Sequence, residues 1–259
     1  MAAGDIRKAQ ARSFGAAAAE YERARPPYPP AAVDWLLPPA AASTVGPEQA
    51  ARVADVGAGT GKLTRQLRDR GVAVIAVEPL REMREQLRRA VPGVAVLAGT
   101  AEQLPLAGGS VDAVVFGQAW HWVDPARAVP EAARVLAPGG RLGMLWNFRD
   151  ERDDVCARIS AIMHRWDAAD IASGGSAPEV GPPFGPEERL EVAWVYRLPA
   201  RALVDYVASR SYIITMPEAE RAAVLDAVRG LLATHPALAG RAEVSLPQVT
   251  RCIRAALPP

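Results

Sequence analysis

The chain has 259 residues, half of them apolar, a formal net charge of +1 and two cysteines. That length suffices for one large domain, or a domain with an insertion, around a substantial core. Balanced charge excludes the broad positive field that recruits nucleic acid or an anionic membrane, so neither is expected as a partner.

Residues 1–45 read as an N-terminal helical lid, with Ala-rich helix potential over Ile6–Glu20 followed by Arg25-Pro-Pro-Tyr-Pro-Pro. Proline cannot donate to a β-ladder, so this segment is predicted to lie over the carboxyl edge of a sheet. Residues 46–148 alternate strand and helix. The predicted elements are Val53–Val56, Lys62–Arg70, Ala73–Val77, Leu80–Ala90, Val94–Ala98, Val111–Phe116, a helix ending near Leu136, and Arg141–Trp146. That rhythm predicts an α/β fold with a doubly wound, mostly parallel, seven-stranded sheet. Pro130 predicts a kink or a helix start delayed to that residue, and Pro138-Gly139-Gly140 is expected to stop the helix. Residues 149–240 read as a cap or substrate region: a charged helix over Glu151–Trp166, Gly/Pro-rich loops, a sheet strand near 191–197, and helices at Ala200–Ser209 and Pro217–Leu232. Residues 241–259 supply a final strand within Val244–Arg254.

The chemistry concentrates where the first strand runs into Gly57-Ala-Gly-Thr-Gly61 and a helix opens. Glycines there let the backbone approach a ligand, and the helix start presents free N–H groups. Glu78 ends the second strand about 20 residues later, where a doubly wound sheet places the acid that grips ribose hydroxyls. The spacing is G-x-G-x-G. The third glycine of the dinucleotide fingerprint would fall at Lys62, and Asp55 would repel a pyrophosphate. A cofactor carrying an ammonium and a sulfonium fits better than a nicotinamide dinucleotide.

Further motifs carry a resemblance: Phe14-Gly with Tyr21 and Arg25-Pro-Pro-Tyr-Pro, then Asp55-Val-Gly-Ala-Gly-Thr-Gly, Glu78-Pro with Met83, Gly99-Thr-Ala-Glu-Gln-Leu-Pro, Gly117-Gln-Ala-Trp-His-Trp and Leu136-Ala-Pro-Gly-Gly. From Phe14 to about Asn147 the chain resembles class I S-adenosylmethionine-dependent methyltransferases of the small-molecule branch, similar to quinone-biosynthesis and trans-aconitate methyltransferases. The resemblance implies S-adenosylmethionine as cofactor and S-adenosylhomocysteine as product. It implies that Asp55 and the backbone of Gly57, Ala58, Gly59, Thr60 and Gly61 cradle the methionine part, with Glu78 and Pro79 at the ribose and Met83 on adenine, unless Met83 is simply core. It places Ala101 at the adenine ring; the adenine amino group meets Thr100, Glu102 or water. Gln118 and Ala119 would reach the methionine end, and Tyr21 and Arg25 belong to the lid, where Arg25 pairs with the cofactor carboxylate or is merely solvated.

The expected function is methyl transfer to an oxygen or carbon of a small organic molecule, mainly by proximity and orientation. A non-catalytic S-adenosylmethionine-binding protein is the alternative, and a nicotinamide-dependent oxidoreductase a weaker one. His121 is the candidate base, or a hydrogen-bonding neighbour of Trp120 and Trp122 pointing opposite to both. Trp120, Trp122 and Trp146 are candidate pocket walls, Arg210, Ser211 and Tyr212 candidate substrate contacts, and Trp166 and Trp194 further cap residues. His164 and His235 read as solvated. No metal set is evident: Cys156 and Cys252 lie far apart without ligand-spaced partners and read as buried thiols. No run reaches the roughly 18 apolar residues of a membrane helix and no signal-peptide core is present, so a cytoplasmic monomer or homodimer is expected.

Overall fold

The computed structural model describes residues 25–38, 50–164 and 180–259. The expected helix at Ile6–Glu20, with Phe14 and Tyr21, and the cap residue Trp166 lie outside the described residues. The chain divides into two units: Pro27–Trp146 with Ser176–Val192 and Thr250–Pro259, and Met1–Pro26 with Asn147–Gly175 and Ala193–Val249. Each is described by itself.

In the first unit, β1 (Arg52–Val56), β2 (Ala73–Val77), β3 (Ala95–Leu97) and β4 (Val111–Gly117) alternate with α2 (Lys62–Arg68) and α3 (Arg81–Ala90). Before them stands α1 (Pro30–Leu36), and after them α4 (Pro125–Val135) and β5 (Leu136–Arg149). β1 pairs in parallel with β2 and β4, β2 with β3, and β4 with β5. With β6 (Glu188–Pro199) and β7 (Glu243–Ala256) the order is β3-β2-β1-β4-β5-β7-β6. β7 runs antiparallel: Leu257 N–H donates to Gly140 O and Asp150 N–H to Pro247 O, at opposite ends of the β5 pairing. The mostly parallel doubly wound sheet expected from the sequence is present.

Both faces of β4 are buried, which is why it reads as an unbroken apolar run. Val114 and Phe116 join one core with Ala54, Val56, Leu142 and Met144. Ala113 and Val115 join another with Val53, Leu63, Leu67 and Leu36. Gly143 is required by this packing, since a Cβ there would sit 2.8 Å from Leu36 Cδ2.

Three local readings are refined. α4 begins at Pro125 and carries Pro130 inside it, so its start is not delayed to Pro130: the Asp124 carboxylate accepts from Ala126 N–H (3.1 Å) and caps the start. Pro138-Gly-Gly does not stop that helix. It lies within β5, where the pairing shifts from Val111–Leu136 to Ala113–Arg141 and Gly139 takes a φ of 73°. The helix α1, unanticipated, starts on Pro30 behind Pro29 and buries Ala32, Val33 and Leu36.

The second unit holds α5 (Asp154–His164), α6 (Ala202–Ala208), α7 (Ser211–Ile214) and α8 (Glu218–Thr234) with the adjoining parts of β5, β6 and β7. Its core gathers Cys156, Ile159, Met163, Leu203, Tyr206, Val207, Ile213, Val224, Val228 and Leu246. Burial pushes the Cys156 and Cys252 thiols up to about 12, so both are inert packing groups. His235 is not merely solvated: its Nε2 lies 2.8 Å from Asp154 Oδ2, which also accepts from Arg158. No described helix is long and apolar enough to cross a membrane.

Candidate active site

The strand order reverses between β1 and β4, and the crevice beyond the carboxyl ends of strands at such a point is where doubly wound sheets take ligands. Here the loops after β1 and β4 touch. A Cβ on Gly57 (φ 67°) would fall 2.7 Å from Ala119 Cβ. The next glycine, Gly59 (φ 56°), has none of the described residues within 4 Å of where a Cβ would stand. Gly61 (φ 93°) begins α2, and a Cβ there would meet Leu87 Cγ at 2.9 Å and Val91 Cγ2 at 3.0 Å. One glycine therefore seats the loop, one leaves the cradle open, and one lets α2 approach α3.

Two acids stand behind this cradle. Glu78, 5% exposed at the end of β2, accepts from Gly59 N–H through Oε2 and from Leu80 N–H through Oε1, both at 2.9 Å. Burial raises its pKa, opposed by the Leu80 and Gly59 amides and by Arg84. Asp55, 1% exposed, accepts from Thr64 Oγ1 at 2.6 Å through Oδ2, while Oδ1 has no hydrogen-bond partner among the described residues. Burial pushes Asp55 up to about 7, with the Glu78 charge adding and the Thr64 hydroxyl opposing. A buried carboxyl with an unsatisfied oxygen is poised to gain from a donor or cation.

After β4, Gln118 adopts a φ of 56°, uncommon for a residue with a side chain, and its N–H donates to Leu145 O at 2.9 Å. Trp120–Trp122 forms a 3₁₀ turn, not an extended loop, so side chains do not alternate as expected. Trp120 turns into the core at 2% exposure, edge-on to Phe116 with centroids 4.8 Å apart, which leaves its indole no open face for a ligand. His121 and Trp122 stay half-buried with rings 4.6 Å apart. His121 thus shares its surroundings with Trp122, and Trp120 is core.

Sequence reasoning passed over Tyr28. Its backbone exchanges two hydrogen bonds with the Gln66 side chain (3.0 and 2.7 Å), and its hydroxyl lies 2.8 Å from where a Gly117 Cβ would stand. The Pro-rich segment therefore does reach the carboxyl end of β4. Met83 is buried at 3% exposure. Thr100 is exposed and bridged to Gln103, Ala101 is buried, and Glu102 Oε1 accepts from Asp124 N–H at 3.0 Å, steadying the start of α4. Pro79 O accepts from Arg84, and Trp146 packs half-buried against the core. Among the described residues no three or more His, Cys, Asp or Glu are grouped to hold a metal.

The remaining candidates fall in the second unit. Arg25 Nη2 donates to Ser209 O at 3.2 Å, and Arg210 Nη2 donates to the Tyr206 hydroxyl at 2.5 Å. Ser211 begins α7, and Tyr212 packs half-buried on that unit's core. Arg149 and Tyr206 join them, unsignalled by the sequence: an arginine after an apolar strand and a tyrosine in an amphipathic helix are both common.

The family of the methyltransferase domain matches residues 54–144, the segment that carries the cradle, Glu78 and the loop after β4. A Mycobacterium tuberculosis protein named as an uncharacterized methyltransferase is 52% identical over 251 residues, covering 97% of this chain and 98% of that protein. The chain belongs to the class I S-adenosylmethionine-dependent methyltransferases. The demethylmenaquinone methyltransferase of Beutenbergia cavernae is 39% identical over 111 residues of this methyltransferase, 42% of the chain and 46% of that protein. Among solved structures, one from Anaeromyxobacter dehalogenans, presented as a type II methyltransferase, superposes with a TM-score of 0.63 at 26% identity, covering 91% of this chain and 99% of that one.

Proposed function

We propose that this methyltransferase binds S-adenosylmethionine in the β1/β4 crevice and passes the methyl group to an oxygen or carbon of a small organic molecule. The observation that carries the reading is the cradle itself: no described residue within 4 Å of a Cβ at Gly59, beside two buried carboxyl groups, one of them with an unsatisfied oxygen. Glu78 keeps lone pairs for the ribose hydroxyls after accepting its two amide bonds. Asp55 supplies negative charge behind the loop, which suits an ammonium and a sulfonium. When bound, the cofactor supplies an already electrophilic methyl group.

The chain's own part is alignment and exclusion of water. Well-oriented reactants reach effective molarities on the order of 10⁵ to 10⁸ M, so positioning alone supplies much of the rate. His121, half-buried after β4, is the group offered to take a proton from an acceptor hydroxyl. Demethylmenaquinone, named for a partial relative, supports an acceptor of the small-molecule kind.

Calorimetric titration with S-adenosylmethionine, S-adenosylhomocysteine and NADH, on the wild type and on Glu78→Ala, tests the site. Saturable binding of the first two, weakened about tenfold or more by the substitution, is expected from the loss of charge-assisted bonds. Binding of NADH alone, or cofactor affinity indifferent to Glu78, refutes it.

A further inference from the structure

Where β2 ends, the chain leaves the sheet, turns and enters α3 within a few residues. The carbonyls along that turn drop out of the strand ladder and need other donors. Arg84, in the first turn of α3, meets three consecutive ones. Its Nη1 donates to Glu78 O at 2.8 Å and to Pro79 O at 2.6 Å, and its backbone N–H donates to Leu80 O at 3.1 Å. A guanidinium Nη carries two N–H groups, so both side-chain bonds form at once. Pro79 has no N–H of its own, and Leu80, at the N-cap of α3, has no polar side chain to cap it. This arginine therefore fastens the turn from the helix side.

The residue so fastened is the acid assigned to the ribose. Glu78 N–H donates to Leu97 O at 3.1 Å, and its carboxylate accepts one amide on each oxygen, Gly59 on Oε2 and Leu80 on Oε1. Each oxygen of a carboxylate has about two lone-pair sites, so roughly one on each remains. Two vicinal hydroxyls fit such a pair of sites while the carboxylate keeps its plane and position, since hydrogen bonds weaken steeply with misalignment. The Leu80 amide that holds Oε1 belongs to the turn that Arg84 fastens. Loss of the Arg84 bonds therefore loosens the acid at both its carbonyl and its carboxylate. The permanent Arg84 charge also opposes the effect of burial on Glu78 and favours its ionised, accepting form.

We propose that Arg84 is the positioning residue through which Glu78 tells a ribose from a deoxyribose. The inference rests on the assignment of Glu78 to the cofactor ribose, and it adds a specificity-determining group that acts through Glu78 and the turn after it.

The test is calorimetric titration of the full chain with S-adenosylhomocysteine and its 2′-deoxy analogue. The ratio of the two affinities reads the hydroxyl bond apart from the rest of the ligand. The wild type should prefer the ribose form by about tenfold or more, the worth of one charge-assisted bond, and Glu78→Gln should lose most of that preference. Arg84→Met should lower the preference by about threefold or more. Arg84→Lys keeps a charged donor without the planar fork and should fall between Arg84→Met and wild type. A merely structural defect weakens both ligands alike and leaves the ratio unchanged. In a Glu78→Gln background Arg84→Met should no longer move the ratio, because the two residues act as one unit. Should Arg84→Met fail to fold, Arg84→Gln is read by the same ratio, its shorter amide being unable to bridge both carbonyls. A wild-type ratio in the variant overturns the proposal. A wild type indifferent to the 2′-hydroxyl refutes the assignment of Glu78 and this inference with it, whereas a preference lost in Glu78→Gln but kept in Arg84→Met sinks this inference alone.

Discussion

Asp55 offers a measurement in which the sign and the size both follow from its surroundings. Its carboxyl is pushed from 3.8 up to about 7 in the folded chain, mainly by burial. Between those values the folded state holds a proton that the unfolded state has released, so stability falls as pH rises across the window and levels off above about 7. Treating the unfolded group as ordinary, the penalty grows from about 2 kcal/mol at pH 5 to about 4 kcal/mol at pH 8, a difference of about 2 to 3 kcal/mol. Asp55→Asn removes the titration while keeping an oxygen to accept from Thr64. Thermal melts of wild type and variant at pH 5 and pH 8 isolate the effect, because pH-independent differences between the two side chains cancel between the two conditions. The wild type should lose stability relative to the Asp55→Asn variant on going to pH 8, by roughly 8 °C at the usual 2 to 4 °C per kcal/mol. Parallel pH profiles for the two proteins would show that Asp55 ionises in the folded state as an ordinary carboxylate, and the burial argument would fail.

The same proton should appear in cofactor binding. If a bound cation holds Asp55 ionised, S-adenosylmethionine should bind about tenfold more weakly at pH 6 than at pH 8, with the slope abolished in Asp55→Asn; equal affinities in isothermal titration at the two pH values would contradict this. Gly61→Ala should cost about 2 to 4 kcal/mol in urea unfolding, since strained φ adds to overpacking against Leu87 and Val91. Gly59→Ala meets none of the described residues and should cost only about 1 to 2 kcal/mol from its φ, yet lose cofactor affinity, and an unchanged affinity would place the ligand elsewhere. Gly117→Ala should destabilise by about 1 to 3 kcal/mol through contact with the Tyr28 hydroxyl, and Tyr28→Phe in the same chain should restore part of it.

The parts of this protein that were legible in its sequence are those where backbone geometry restricts the residue type. Gly57, Gly59 and Gly61 are readable because each occupies a left-handed conformation, and Glu78 because the length of one βα unit fixes how far on the second strand ends. β1 and β4 were readable because both their faces are buried, leaving apolar runs between polar helices. Pro130 left the start of α4 open in the sequence, and a single capping side chain, Asp124, fixes it at Pro125. The Trp120-His-Trp122 run misled differently: a 3₁₀ turn and an alternating loop have the same composition, and the packing of Trp120 on Phe116 decides between them.

The arginines around Tyr206 were hardest to read. Arg25, Arg149 and Arg210 lie far apart along the chain, and nothing local distinguishes them from the other arginines of an arginine-rich sequence. What distinguishes them is that they converge on Tyr206, whose own position is set by the apolar face of α6 with Leu203 and Val207. The cradle after β1 can be specified by a short segment because it binds chiefly through backbone, which every residue carries. A side-chain pocket has no such economy, since each group must be delivered by a different element, and its residues are free to change while the fold persists. The cluster around Tyr206 therefore becomes legible only once the fold brings its residues together.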